Sequence, residues 1–196
     1  MRADHQPISL AKGKAVSLDK TASDLRAVVV GLGWDPRVTA GAEFDLDASA
    51  LLLRGHNVLS DQHFVFYNNL RSPDGSVLHT GDNRTGEGEG DDEQLVVDLS
   101  RVPPECDRIV FPVSIHEAEL RRQNFGQVRN AFIRVVDDRD DRELVRYDLT
   151  EDFAGATALI FGELFRDRSG WGFRALGQAH PSGFRGLLQA HGLLVA

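Results

Sequence analysis

The chain has 196 residues, of which 41% are hydrophobic, and a formal net charge of −8 at pH 7. A chain of this size and composition can bury a core as one domain over residues 1–196, and it does not belong to the disordered class. The excess of 30 acidic over 22 basic residues argues against general nucleic-acid binding, which requires a basic surface. An acidic balance is compatible with cation binding.

The cysteine content and the apolar runs bear on the cellular location. Cys106 is the single cysteine, so an internal disulfide cannot form. The N-terminal residues contain no apolar stretch of signal-peptide length, and no apolar run approaches the roughly twenty residues that cross a bilayer. These features predict a cytoplasmic protein without membrane insertion.

Short apolar or alternating segments, separated by Gly, Asp, Asn and Pro, predict a strand-rich fold. The predicted strands, in chain order, are Ala15–Leu18, Leu25–Gly31, Glu43–Leu53, His63–Tyr67, Val77–His79, Gln94–Leu99, Arg108–His116, Asn130–Asp137, Glu143–Asp148, Ala156–Arg166 and Trp171–Gly177. Two short helices are predicted over His116–Gln123 and Ser182–His191. Many strands with little helix predict a mainly all-β fold, a two-sheet antiparallel β-sandwich with a C-terminal helix.

The segment Gly81–Glu93, GDNRTGEGEGDDE, joins two predicted strands and is rich in glycine and acid. It is not an EF-hand loop, because Arg84 stands where a ligand is required and Glu87 where a glycine makes the turn. Its carboxylates would repel a phosphate. Its hard oxygen donors suit Ca²⁺, and it contains no His or Cys that would favour zinc. The candidate ligands in this loop are Asp82, Asn83, Glu87, Glu89, Asp91, Asp92 and Glu93.

A second acidic element is the alternating stretch Phe44–Ser49, FDLDAS. In a strand, Phe44, Leu46 and Ala48 would face the core, while Asp45 and Asp47 would share the other face at a separation of roughly 7 Å. Like charges at this spacing conflict unless a cation intervenes, so Asp45 and Asp47 join the candidate metal ligands. A solvated acidic loop and a charged edge strand are the alternative interpretations of these residues alone.

Two histidines lie near the acidic segments. His79 directly precedes the loop, where it could orient a carboxylate, and His116 is followed by two glutamates, which makes it an alternative metal ligand. A surface or capping role is the favoured interpretation for His116. No nucleophile elbow is present, and no nearby motif marks a substrate pocket.

The sequence resembles the TerD family of tellurium-resistance and general-stress proteins. The resemblance runs through Val28–Asp35, Glu43–Ser49, Phe66–Asn69, Ser72–Gly75 and His79–Glu93. It continues through Asn124–Arg134, Arg146–Thr150, Ile160–Leu164 and the aromatic strand around Trp171, and so covers almost the whole chain. The two ends of the chain depart from the family pattern.

The resemblance implies a bacterial β-sandwich that binds Ca²⁺ through acidic loops, acts in stress or tellurite resistance and is not an enzyme. Carried over by position, the acidic ligands fall on Asp45, Asp47, Asp82, Asn83 and the carboxylates from Glu87 to Glu93. The expected partners are calcium ions and other stress-response or membrane-associated proteins, and the expected role is that of a sensor, buffer or interaction module.

Two alternatives remain open from the residues themselves. One is a metal-dependent hydrolase or phosphotransfer enzyme that uses the acidic cluster to hold a catalytic ion. The other is a small-molecule or nucleotide-binding module in which Ca²⁺ is structural. A pocket lined by Trp34, Tyr67 or Phe125 would favour this second alternative.

Overall fold

The computed structural model describes residues 6–22, 24–37, 40–81, 90–151 and 153–194. The strands are β1 Ile8–Ser9, β2 Ala15–Ser17, β3 Ala27–Gly33, β4 Leu46–Ala48, β5 Ala50–Arg54, β6 Asn57–Val58, β7 Phe64–Val65, β8 Val77–His79, β9 Glu93–Asp98, β10 Arg108–Ile115, β11 Phe132–Asp137, β12 Arg142–Asp148, β13 Ala158–Asp167 and β14 Gly170–Ala179. The helices are α1 Leu18–Thr21, α2 Ala118–Arg121 and α3 Gly183–Ala190, with 3-10 turns at Asp61–His63 and Phe125–Gln127.

The strands form two sheets, which confirms the predicted sandwich. The first sheet has the order β1-β12-β11-β3-β9-β8, and its pairs are antiparallel except for β1 with β12. The second sheet has the order β2-β14-β13-β10-β5-β6, with β4 paired to β10 and β7 to β5. No helix among the described residues is long and apolar enough to span a membrane.

The main core lies between the two sheets. Alternation along the central strands decides which side chains enter it: in β3, Val28, Val30 and Leu32 are buried there. The residues of β5 form a continuous apolar run because one face of the strand lies in the core between the sheets and the other face is covered by a second apolar cluster. Leu52 belongs to the core between the sheets, whereas Leu51 packs in a second cluster.

The C-terminal helix α3 covers the outer face of the second sheet. Its Leu187 and Leu188 are buried against Leu51, Val110 and other side chains of that sheet. The C-terminal helix predicted over Ser182–His191 is confirmed, and its apolar side chains pack on the sandwich.

The predicted single strand Glu43–Leu53 is wrong, because the structure contains two short strands, β4 and β5, with Ser49 between them. The main-chain N–H and the hydroxyl of Ser49 both donate to the carbonyl oxygen of Pro112, at 2.9 and 3.0 Å. Pro112 has no N–H with which to continue a ladder, and the register of β10 shifts at this residue. The break therefore originates in the neighbouring strand.

Candidate cation-binding site

The acidic loop leaves and rejoins the first sheet at one end of the sandwich. Strand β8 ends at His79 and β9 begins at Glu93, while β3 ends beside the start of β9, since Leu32 pairs with Glu93. This end of the sandwich comprises residues 34–37, 79–81 and 90–93. Of the predicted ligands, Asp82, Asn83, Glu87 and Glu89 lie outside the described residues.

Asp91 lies across the outer face of the first sheet. Its Oδ1 accepts a hydrogen bond from Nε of Arg134 at 2.6 Å, and its Oδ2 accepts one from Nε2 of Gln94 at 3.1 Å. A Cβ atom at Gly31 would collide with this carboxylate, so the glycine allows Asp91 to cross β3 and reach β11. The charge of Asp91 is thus already balanced by an arginine, and its side chain is only 1% exposed.

Asp92 lies at the tip of β9, where its Oδ2 accepts a hydrogen bond from the main-chain N–H of Trp34 at 2.9 Å. Burial raises the pKa of Asp92 above its ordinary value, the Trp34 hydrogen bond opposes this rise, and repulsion from Asp91 and Asp35 adds to it. Asp35 is exposed and accepts a hydrogen bond from Asn130 at 2.6 Å.

Asp35 is a member of this acidic group that the sequence-based ligand set does not contain. Its signal in the sequence is its position directly after the Trp at the end of β3. Pairing of β3 with β9 brings that position beside the end of the acidic loop.

Glu93 points into the sandwich and contacts the second sheet. Its Oε2 accepts a hydrogen bond from the main-chain N–H of Ala48 in β4. The carbonyl oxygen of Ala48 is 3.2 Å from Nε2 of His79, and Nδ1 of His79 accepts from the N–H of Gly81 at 3.2 Å. Since Nδ1 is an acceptor, Nε2 carries the proton and donates to Ala48. We call Glu93, His79 and Ala48 the strand clamp, because side chains from both ends of the loop hold one residue of β4.

The strand clamp is almost entirely shielded from solvent. The side chains of His79 and Glu93 are each 1% exposed, and their closest charged atoms, Nε2 and Oε2, are 3.9 Å apart, which is too long for a hydrogen bond. Ala48 is 4% exposed. His79 therefore contacts the main chain of β4, and it makes no hydrogen bond to the carboxylate of Glu93.

Asp45 and Asp47 have basic neighbours of their own. Oδ2 of Asp45 is 3.6 Å from Nη1 of Arg121, and Oδ2 of Asp47 is 3.5 Å from Nδ1 of His116. The alternation predicted for this stretch is confirmed in its apolar half, since the aromatic residue and the two aliphatic residues that flank these acids belong to the core.

The described residues contain no group of three or more His, Cys, Asp or Glu side chains arranged to hold a metal ion. Their oxygen chemistry suits a hard cation, but Asp91 is bound to Arg134 and Glu93 to Ala48. The charges of Asp91 and Asp35 both act on Asp92, which lies where the acidic loop rejoins the sheet. The predicted nine-residue metal site stays a prediction.

Comparison with known proteins gives a consistent family. The TerD domain model matches residues 7–191. The chain is 55% identical over 187 residues to the tellurium resistance protein TerD of Serratia marcescens, covering 95% of this chain and 97% of that protein. It is 50% identical over 190 residues to general stress protein 16U of Bacillus subtilis, covering 96% and 98%.

Solved structures resemble the fold over most of its length. A homologue of the telluride resistance protein from Streptomyces coelicolor A3(2) aligns with a TM-score of 0.65 and 29% identity, covering 84% of this chain and 95% of that one. The protein of unknown function SAV2460 aligns with a TM-score of 0.68 and 26% identity, covering 86% and 99%. Sequence and fold similarity therefore extend over both sheets.

Proposed function

Because the chain belongs to the TerD family of tellurium-resistance and stress proteins, we propose that it is a calcium-binding sandwich whose acidic loop is ordered by the ion. The loop residues Asp82, Asn83, Glu87 and Glu89 supply oxygen ligands together with Asp92. The proposed location is the cytoplasm, and the proposed role is that of a sensor or interaction module that performs no catalytic step.

The observation that carries this proposal is the placement of Asp92. Its half-buried carboxylate lies where the loop rejoins the sheet, with Asp91 and Asp35 as negatively charged neighbours. Arg134 balances only the first of these neighbours. Residues 82–89 of the loop add three further carboxylates, those of Asp82, Glu87 and Glu89, against the single arginine Arg84. A divalent cation would neutralise this concentration of charge.

The strand clamp explains how ion binding can stabilise the whole sandwich. His79 and Glu93 flank the loop and both hold Ala48, so the two ends of the loop are fixed to the second sheet as well as to the first. A cation that binds only the folded loop stabilises the protein by about 2.7 kcal/mol at one hundred times its dissociation constant. For a chain of this size, that corresponds to a rise in Tm of about 5–10 °C.

The test compares calcium with chelator on the wild type and two matched variants. Asp92→Asn removes the charge and keeps an oxygen that can accept from Trp34, whereas Asp98→Asn makes the same change at the other end of β9. We expect calcium to raise the Tm of the wild type and of Asp98→Asn, and to raise that of Asp92→Asn much less. Calorimetric titration of the same three proteins measures binding directly.

A melting temperature that calcium and chelator leave unchanged would contradict the proposal. Equal calcium responses in Asp92→Asn and Asp98→Asn would remove Asp92 from the site. A screen of phosphoesters in the presence of calcium or magnesium distinguishes the proposal from the hydrolase alternative, since turnover that is lost in Asp92→Asn would favour a catalytic ion.

A further inference from the structure

A groove of about 710 Å³ lies on the outer face of the second sheet, away from the core. It is bounded by the 64–67 segment, by the turn and helix α2 after β10, and by helix α3. Its volume falls within the range of roughly 300–1,000 Å³ that is typical of small-molecule sites. Tyr67, one of the three aromatic residues whose presence in a pocket would favour a small-molecule module, lines this groove, whereas Trp34 and Phe125 are buried in the core.

One wall of the groove is an aromatic cluster. The rings of Phe64 and Phe66 are stacked, with centroids 4.3 Å apart, and Tyr67 meets Phe66 edge-on at 5.3 Å. Phe184 of α3 lies 6.1 Å from Phe64 and continues the wall. Tyr67 is 40% exposed, so part of this aromatic surface is open to solvent. Aromatic faces carry negative electrostatic potential and attract cations.

The polar part of the groove is acidic. Its described lining contains the carboxylates of Asp47, Glu117 and Glu119 and one arginine, Arg185. A second arginine, Arg121, lies 3.3 Å from Glu117 and is shared with Asp45, so the carboxylates still outnumber the arginines. His116 also lines it, with Nδ1 3.5 Å from Asp47. An anion would meet net repulsion here, whereas a cation would be attracted by both the carboxylates and the ring faces.

The turn that presents two of these groups is conformationally unusual. Glu117 has a φ of 51°, in the left-handed region that residues other than glycine rarely adopt. This conformation directs the chain from the end of β10 into α2, so that Glu117 and Glu119 border the same groove as Leu120, which is 78% exposed. Such backbone strain recurs at ligand sites and is consistent with one here.

We propose that this groove binds an organic cation, a protonated or quaternary amine with an apolar body. The ammonium group lies against the aromatic wall and the acidic side chains, and the apolar body lies on Leu188 and Phe184. The described lining of the groove includes none of the ligands of the proposed calcium site. Of the metal ligands predicted from the sequence, Asp47 lines the groove, as does the alternative ligand His116. The occupant is a small molecule because the groove has the volume of such a ligand.

The test measures binding of three probes to the full chain in the presence of chelator. Phenylpropylamine, phenylpropanol and phenylpropanoate share one apolar body and are cationic, neutral and anionic at neutral pH. We expect the amine to bind at least about tenfold more tightly than the alcohol, and the carboxylate to bind least, as cation–π and carboxylate attraction require. Titration calorimetry and protein-observed NMR report the affinities and the residues that shift.

Three substitutions separate the groove from the rest of the surface. Tyr67→Leu keeps an apolar side chain but removes the ring, and Glu119→Gln removes one exposed charge. Each should weaken amine binding by about two- to fivefold. Glu105→Gln makes the same charge change at an exposed position outside the groove and should leave the affinity unchanged. Melting curves establish that all three variants are folded.

Several outcomes would overturn the inference. These are equal affinity for the three probes, preference for the anionic one, no binding of the amine at millimolar concentration, or amine binding that Tyr67→Leu and Glu119→Gln leave unchanged. Binding of a lysine-containing peptide by a protein that does not bind the amine would also overturn it, in favour of a peptide groove.

Discussion

Replacement of Glu93 tests whether the strand clamp fastens the two sheets together. The carboxylate is buried and accepts the N–H of Ala48, so Glu93→Ala leaves that N–H in the interior without its acceptor. Losing a hydrogen bond to a charged group costs about 1.5–3 kcal/mol, and an unsatisfied buried donor costs about 1–3 kcal/mol. Because these costs overlap, we expect Glu93→Ala to lower the free energy of unfolding by about 2–4 kcal/mol.

Glu93→Gln separates the hydrogen bond from the charge. The amide oxygen can still accept from Ala48, so the expected loss is about 1–2 kcal/mol. Urea unfolding in the presence of chelator measures both variants, with the exposed Glu105→Ala as a control that should change stability by less than about 0.5 kcal/mol. A loss below about 1 kcal/mol for Glu93→Ala would refute the clamp.

The same variants distinguish an anchor from a metal ligand. If Glu93 holds β4 rather than an ion, Glu93→Gln starts from a lower stability but gains about the same increment from saturating calcium as the wild type. If Glu93 instead binds the ion directly, the calcium increment falls as well. Comparing the increments, rather than the stabilities, therefore assigns the residue.

Two further predictions concern groups outside the site. Arg139 donates a hydrogen bond to Asp137 at 2.7 Å and holds the pKa of Asp137 below the ordinary value of 3.8. This contact therefore stabilises the folded protein above pH 3.8, and the stabilisation is lost as the pH falls through the lowered pKa. Asp137→Asn should therefore cost about 1–2 kcal/mol at neutral pH in urea unfolding, and a gap that persists in strong acid would contradict this. Burial raises the pKa of the Cys106 thiol to about 12, so a thiol reagent at about pH 8 should label it only in denaturant, and rapid labelling of the native protein would count against its burial.

Most strands could be predicted from the sequence because apolar and polar residues alternate along them. Val77–His79 is predicted with the bounds that β8 has, and β9, β10, β11 and β12 differ from their predicted bounds by one or two residues at an end. The short strands β1 and β6 were not predicted, because two residues are too few to show an alternation of apolar and polar side chains. Their existence depends on partners distant in the chain, such as Val145 for Ile8.

The acidic segments show the limit of the same method. Alternation correctly places Leu46 and Ala48 in the core, but it cannot show that Asp47 borders a groove with His116 or that Asp91 is held by Arg134. These contacts join residues that are 43 or more positions apart in the chain. The charge of a side chain does not show which distant residue the fold brings within contact distance. For the same reason, Asp35 could not be predicted as a member of the acidic group, because only the pairing of β3 with β9 brings it beside the acidic loop.

Strand β4 connects the two candidate sites. Among the described strands its partner is β10, and at Ala48 its other edge is occupied by the side chains of Glu93 and His79. The adjacent residue, Asp47, projects into the groove. A change at either end of the acidic loop therefore acts on Ala48, whose neighbour in the same strand, Asp47, lines the groove. If calcium alters the affinity for the organic cation, this effect should be lost in Glu93→Ala, because the substitution removes the contact between the loop and β4. An effect of calcium that persists in Glu93→Ala would show that the two sites are coupled through other residues.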